Sequence, residues 1–213
     1  MPPVKDMQPR IIPILVSLVV LLSGCTTPID DHQSEQIPLQ MSFSAKTLDR
    51  AEDGGIDYDL SDKFSESPVL ILWIAAGCSG CHDWTQLIRE SVDNGSLNSN
   101  SVNIVSIHRW SEIESAEQIM EVFGLKDNNS NYTPWPIVLP SESDMIIDFA
   151  TGETTDFTIY EGFNNPGTPT VQLIGQDGIK MWQSTTWVSS TADNVEVFCF
   201  FKSVLRPFPQ HLT

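Results

Sequence analysis

Positive charge is scarce in this chain. Eleven Lys and Arg stand against 28 Asp and Glu over 213 residues, a formal net charge of −17. Such a surface repels phosphate backbones and anionic headgroups, so nucleic acid and charged lipid faces are poor partners. Cysteine is also scarce. Besides Cys78 and Cys81 there are only Cys25 and Cys199, and four scattered histidines. No second pair stands at metal spacing, so a zinc site lacks ligands. Internal repeats are absent, and the first apolar run, 11–24, is too short for a comfortable membrane span. What remains is a chain that is 40% hydrophobic, enough for a sizeable core in one domain with accessory segments.

The accessory segments come first. Lys5 and Arg10 precede the run IIPILVSLVVLLSG, which ends in Leu22-Ser23-Gly24-Cys25. That ending resembles the lipobox of prokaryotic lipoproteins. It implies cleavage of residues 1–24, lipid on Cys25 and an extracytoplasmic, membrane-anchored protein. Only Lys5, Asp6 and Arg10 carry charge in 1–24, so the acidity belongs to the exported part. Residues 25–38, polar with two prolines, read as the lipidated cysteine and a flexible tether. The remaining 39–213 form the domain. Outside the cytoplasm disulfides persist, and dithiol enzymes handle them.

Within the domain, 39–64 alternates loosely around Asp53-Gly54-Gly55 and predicts a β-hairpin. PVLILWIAA, 68–76, is the pattern of a strand buried on both faces. After it come Gly77, Cys78-Ser79-Gly80-Cys81-His82, and a helical spacing of Trp84, Leu87, Ile88 and Val92. A strand over 102–108 and a helix over 111–124 follow, the latter with Ile113, Ile119, Met120 and Phe123 as its apolar positions. Residues 135–139 are extended, 141–155 form an acidic insertion, and 157–163 are helical. VQLIGQDGIKMWQ reads as a hairpin turning at Asp177-Gly178. Ser190 and Asp193 cap a closing helix over 194–205. The order is that of an α/β domain with helices on both faces of one sheet.

The pentapeptide at 78–82 supports two chemistries. As C-x-x-C it is a dithiol: Cys78 at a helix start, where free N–H groups and the dipole favour thiolate, and Cys81 one turn on to resolve a mixed disulfide. As C-x-x-C-H it is a haem attachment site with His82 on the iron. Small haem modules of that type are helical, whereas this motif closes a buried strand. A purely structural disulfide across so short a loop adds little stability.

PVLILWIAAGCSGC followed by GTPTVQLIGQDGIKMW resembles the thioredoxin superfamily over roughly residues 40–205. It is most similar to the membrane-anchored oxidoreductases of cytochrome c maturation, which share the Leu60-Ser61-Asp62 pattern. The resemblance implies a central mixed sheet flanked by helices, with an N-terminal hairpin and an insertion before the cis-proline strand. It implies catalysis by Cys78 and Cys81, and a cis Pro169 that presents the Thr168 backbone to an extended protein substrate. No metal and no cofactor beyond the redox-active pair is implied. The partners are protein dithiols or disulfides and a membrane or extracytoplasmic redox protein. The sequence departs from the pattern in having no acid on the strand before the motif; Glu161 is a loosely spaced candidate. A binding module on this scaffold without catalysis, using 141–155, is the other alternative to the haem carrier.

Overall fold

The computed structural model describes residues 36–98, 100–127 and 130–184. The signal segment, Cys25, Cys199 and the expected closing helix lie outside the described residues.

Strand β4 (Val69–Ile74) is the axis of a five-stranded sheet. All six of its residues are fully buried. It pairs in parallel with β5 (Asn103–His108), which pairs in parallel with β6 (Ile137–Val138). On its other side β9 (Thr170–Ile174) runs antiparallel and carries β10 (Lys180–Gln183) at the edge. Because side chains alternate along a strand, β4 feeds two cores. Leu70, Leu72 and Ile74 face a cluster with Cys81, Trp84, Ile88 and Phe123. Val69, Ile71 and Trp73 face Phe43, Tyr58, Leu60 and Phe163. Burying each such side chain stabilises the fold by about 1.5–3 kcal/mol.

The expected N-terminal hairpin is present as β2 (Ser44–Lys46) against β3 (Asp57–Asp59), followed by the short helix α1 (Leu60–Phe64) capped by Asp59. The helix after the cysteine motif is α2 (Ser79–Asp93). Its Trp84 and Ile88 lie one turn apart on the buried face, and Gly95 with φ 74° follows its end.

Two expectations change. The helix expected over 111–124 is shorter: Ser115 caps α3 (Ala116–Ile119), which continues as a wider turn over Met120–Gly124. Ile113 is outside it and 76% exposed. The acidic insertion, given no elements from sequence, is a strand pair. It contributes β7 (Met145–Asp148), paired with β8 (Thr154–Thr158) and with β1 (Met41–Ser42), a second sheet packed by Ile146 into the core. The short helix α4 (Ile159–Gly162) follows. Among the described residues no helix is long and apolar enough to cross a membrane.

Candidate functional site

Parallel strands β4 and β5 deliver their carboxyl ends, and the loops after them, to one edge of the sheet. The cysteines stand there. Ala75, Ala76 and Gly77 lead from β4 into Cys78, which is the N-cap of α2 with extended backbone angles. Its Sγ accepts a hydrogen bond from Cys81 N at 3.1 Å. Cys78 and Cys81 are joined by a disulfide, with Cα atoms 5.2 Å apart. Their burial differs. Cys78 is half-buried and attackable, while Cys81 is fully buried, with its Sγ 3.7 Å from Trp73 O. The helix start gives negative charge on Cys78 a favourable site.

The Thr168–Pro169 peptide is cis. Thr170 pairs with Trp73 on β4, so Thr168 and Pro169 lie on the neighbouring strand's approach to the same edge. Both are half-buried. The loop after β5 closes the gap. Arg109 N donates to Ile74 O at 3.0 Å, and Arg109 Nε donates to Pro166 O at 3.2 Å. Its guanidinium stacks on Tyr160 and Trp110, 4.5 and 4.6 Å from the ring centroids. Trp110, 38% exposed, donates its indole N–H to Thr168 Oγ1 at 3.2 Å.

A residue that sequence reasoning passed over sits in the same loop. Glu114 accepts from Ala76 N at 2.7 Å and from Gly77 N at 3.1 Å, on the two residues leading into Cys78. Its Oε2 also lies 3.2 Å from Nε2 of buried His108. Burial pushes the His108 pKa below its ordinary value, against the opposing pull of Glu114. A carboxylate from the loop after β5 thus stands against the bend that leads into Cys78. The only signal for it was positional: the segment after β5 must meet the segment after β4. Glu161 is not that acid. It is exposed and caps α4 with Thr158. His82 turns its Nε2 to Ala76 O at 3.1 Å and its ring to Phe123, whereas Asp83 is exposed. Trp84 is fully buried in the core.

The sheet order, the Cys pair at the start of α2 and the cis proline leading into the neighbouring strand define a thioredoxin-like fold bearing a disulfide-bonded C-x-x-C pair. No family model matches the chain, and no curated protein sequence matches it. Its likeness is to solved structures. One is a secreted Mycobacterium tuberculosis disulfide oxidoreductase homologous to E. coli DsbE, at 12% identity and a TM-score of 0.52. It covers 76% of this chain and 95% of that one. Another is M. tuberculosis DsbF in mixed oxidised and reduced forms, at 14% identity, TM-score 0.52, 80% and 100% coverage. A third is the thioredoxin domain of a thiol-disulfide oxidoreductase from Bacteroides vulgatus, at 16% identity, TM-score 0.50, 81% and 99% coverage.

Proposed function

We propose that this chain is an extracytoplasmic thiol–disulfide oxidoreductase acting on protein cysteines. The observation that carries the proposal is the asymmetry of the pair: a half-exposed Cys78 capping α2, bonded to a fully buried Cys81. In the oxidising direction a substrate thiolate attacks Cys78 Sγ. The Cys78–Cys81 bond breaks, and its electron pair leaves on Cys81, which takes up a proton. The substrate's second thiolate then attacks its own mixed-disulfide sulfur and releases Cys78 as thiolate. Reduction of a substrate disulfide is the reverse. The substrate segment pairs with the Thr168 backbone as an added strand, with Pro169 and Trp110 alongside.

The location rests on the lipobox-like Leu22-Ser23-Gly24-Cys25, with lipid on Cys25 as the anchor. The similarity to a secreted oxidoreductase supports an extracytoplasmic site. The haem reading of the same pentapeptide fits the residues less well. It needs both sulfurs as thioethers and His82 on the iron, yet Cys81 is fully buried and His82 Nε2 faces Ala76 O.

The test is disulfide exchange with a protein substrate, wild type against Cys78→Ala. Loss of exchange in the variant is expected. Undiminished exchange refutes the proposal, and a wild-type pair that neither exchanges nor alkylates favours a binding module.

A further inference from the structure

We propose that Glu114 sets the direction of electron flow, biasing the Cys78–Cys81 pair toward service as a reductant of protein disulfides. This rests on the oxidoreductase reading above. Reducing the disulfide places a negative charge on Cys78 where the oxidised form has none. Any group that disfavours that charge stabilises the disulfide and makes the dithiol a better electron donor.

The N-terminus of α2 and the Cys81 N–H work in favour of the thiolate. Glu114 works against it in two ways. It carries negative charge into the bend before the helix, bonded to the amide of the residue adjoining Cys78. It also occupies the Ala76 and Gly77 N–H groups, which are then turned toward a carboxylate and not toward sulfur.

The other charged or titratable groups near the bend do not offset it. His108 faces Glu114, but burial lowers its pKa and so disfavours the positive charge that would offset the carboxylate. His82 is turned to Ala76 O. Arg109 keeps its positive charge but directs it to Pro166 O and the faces of Trp110 and Tyr160. Asp83, exposed on the first turn of α2, adds charge of the same sign as Glu114.

The donor reaction balances within the pair and its substrate. Cys78 thiolate attacks a substrate disulfide, and one substrate sulfur leaves as thiolate. Cys81, giving up its proton, then attacks Cys78, and the second substrate sulfur leaves. Two electrons have passed to the substrate, and a separate protein dithiol of lower potential restores the pair. Glu114 touches neither sulfur nor substrate, so it is a positioning residue.

The experiment uses the full-length chain equilibrated with thiol–disulfide buffers from pH 6 to pH 9.5, with each cysteine read by alkylation and mass spectrometry. Removing a nearby like charge lowers a thiol's pKa, and a shift of about one unit is a factor of ten. Glu114→Gln is therefore expected to move the equilibrium toward dithiol by up to about tenfold, equal to about 30 mV. The shift is small below the thiol pKa and grows above it, a pH signature that a packing defect does not produce. Glu114→Asp keeps the charge and is expected to follow wild type. An unshifted Glu114→Gln, or a Glu114→Asp that matches it, overturns the inference. So does a wild-type Cys78 thiol titrating below about 7.5, within the lowered range of activated cysteines; this arm needs no variant to fold. Absence of any reversible two-thiol transition in wild type instead overturns the oxidoreductase reading itself.

Discussion

Asp53→Asn is expected to be among the most damaging single-atom-scale changes in this domain. Asp53 and Arg50 form an ion pair whose side chains are 0% and 5% exposed, with Nη2 to Oδ1 at 2.7 Å. The carboxylate also accepts from Arg50 N at 2.8 Å and from Ile137 N at 3.0 Å, where β6 begins. The guanidinium reaches on to Thr133 O at 3.0 Å and Trp135 O at 2.8 Å. One pair thus fixes the turn after β2 against the segment leading into β6. An asparagine amide keeps one acceptor but turns N–H donors toward guanidinium donors, leaving a buried charge uncompensated. Breaking such a pair costs about 3–5 kcal/mol. Domains of this kind have about 5–15 kcal/mol in all. With an m-value of about 2 kcal/mol/M in urea, the midpoint falls by about 2 M. Tryptophan fluorescence during urea unfolding reads this directly. The double change Arg50→Met with Asp53→Leu removes both charges but leaves Ile137 N, Thr133 O and Trp135 O without their partners, so it is expected to recover only part of the loss. A midpoint drop of less than about 0.5 M refutes the reasoning, because it would give the pair the value of an exposed one.

Histidine 108 gives a pH dependence. Its folded pKa lies below the ordinary 6.5, so as pH falls through that value the unfolded chain binds a proton that the native state does not. Stability present above about pH 6.5 is lost toward the folded pKa, with a slope of at most about 1.4 kcal/mol per pH unit. His108→Gln should flatten unfolding curves between pH 7.5 and pH 5.5, and equal slopes in both proteins would contradict the assignment. At α4, a Cβ on Gly162 would overlap the Ile146 side chain. Gly162→Ala should therefore destabilise by about 1–3 kcal/mol in urea unfolding. Ile146→Ala in the same chain should relieve the clash, and a purely additive double variant would count against it.

The parts of the fold legible in sequence are those where burial and backbone preference agree. PVLILWIAA could only be a doubly buried strand, and Trp84 with Ile88 a helix face. The turn at Asp177-Gly178 fixed the hairpin of β9 and β10. The second sheet was hidden for a physical reason. β7 and β8 are short and largely half-exposed, so Met145–Asp148 and Thr154–Thr158 carry little alternation. Their acidic surroundings read only as an insertion. The overlong helix at 111–124 came from counting Ile113 as a core position, whereas the local bond that Gln118 N donates to Ser115 Oγ starts the helix later. Glu114 had no local signal, since one carboxylate among Glu112, Ser115 and Glu117 looks like a solvated face. Its partners are 6 to 38 residues away, and only the parallel pairing of β4 with β5 brings them together.

The stitching of the first strand also has a directional consequence. Met41 N bonds to Gly178 O, and Gln40 bridges Ile179, at the turn between β9 and β10. Ile174, just before that turn, pairs with Val69, whereas Thr170 pairs with Trp73 near the cysteines. The first strand therefore meets the five-stranded sheet at one end, and the cysteine pair stands at the other. Six strand residues at about 3.3 Å each separate the two ends by about 20 Å.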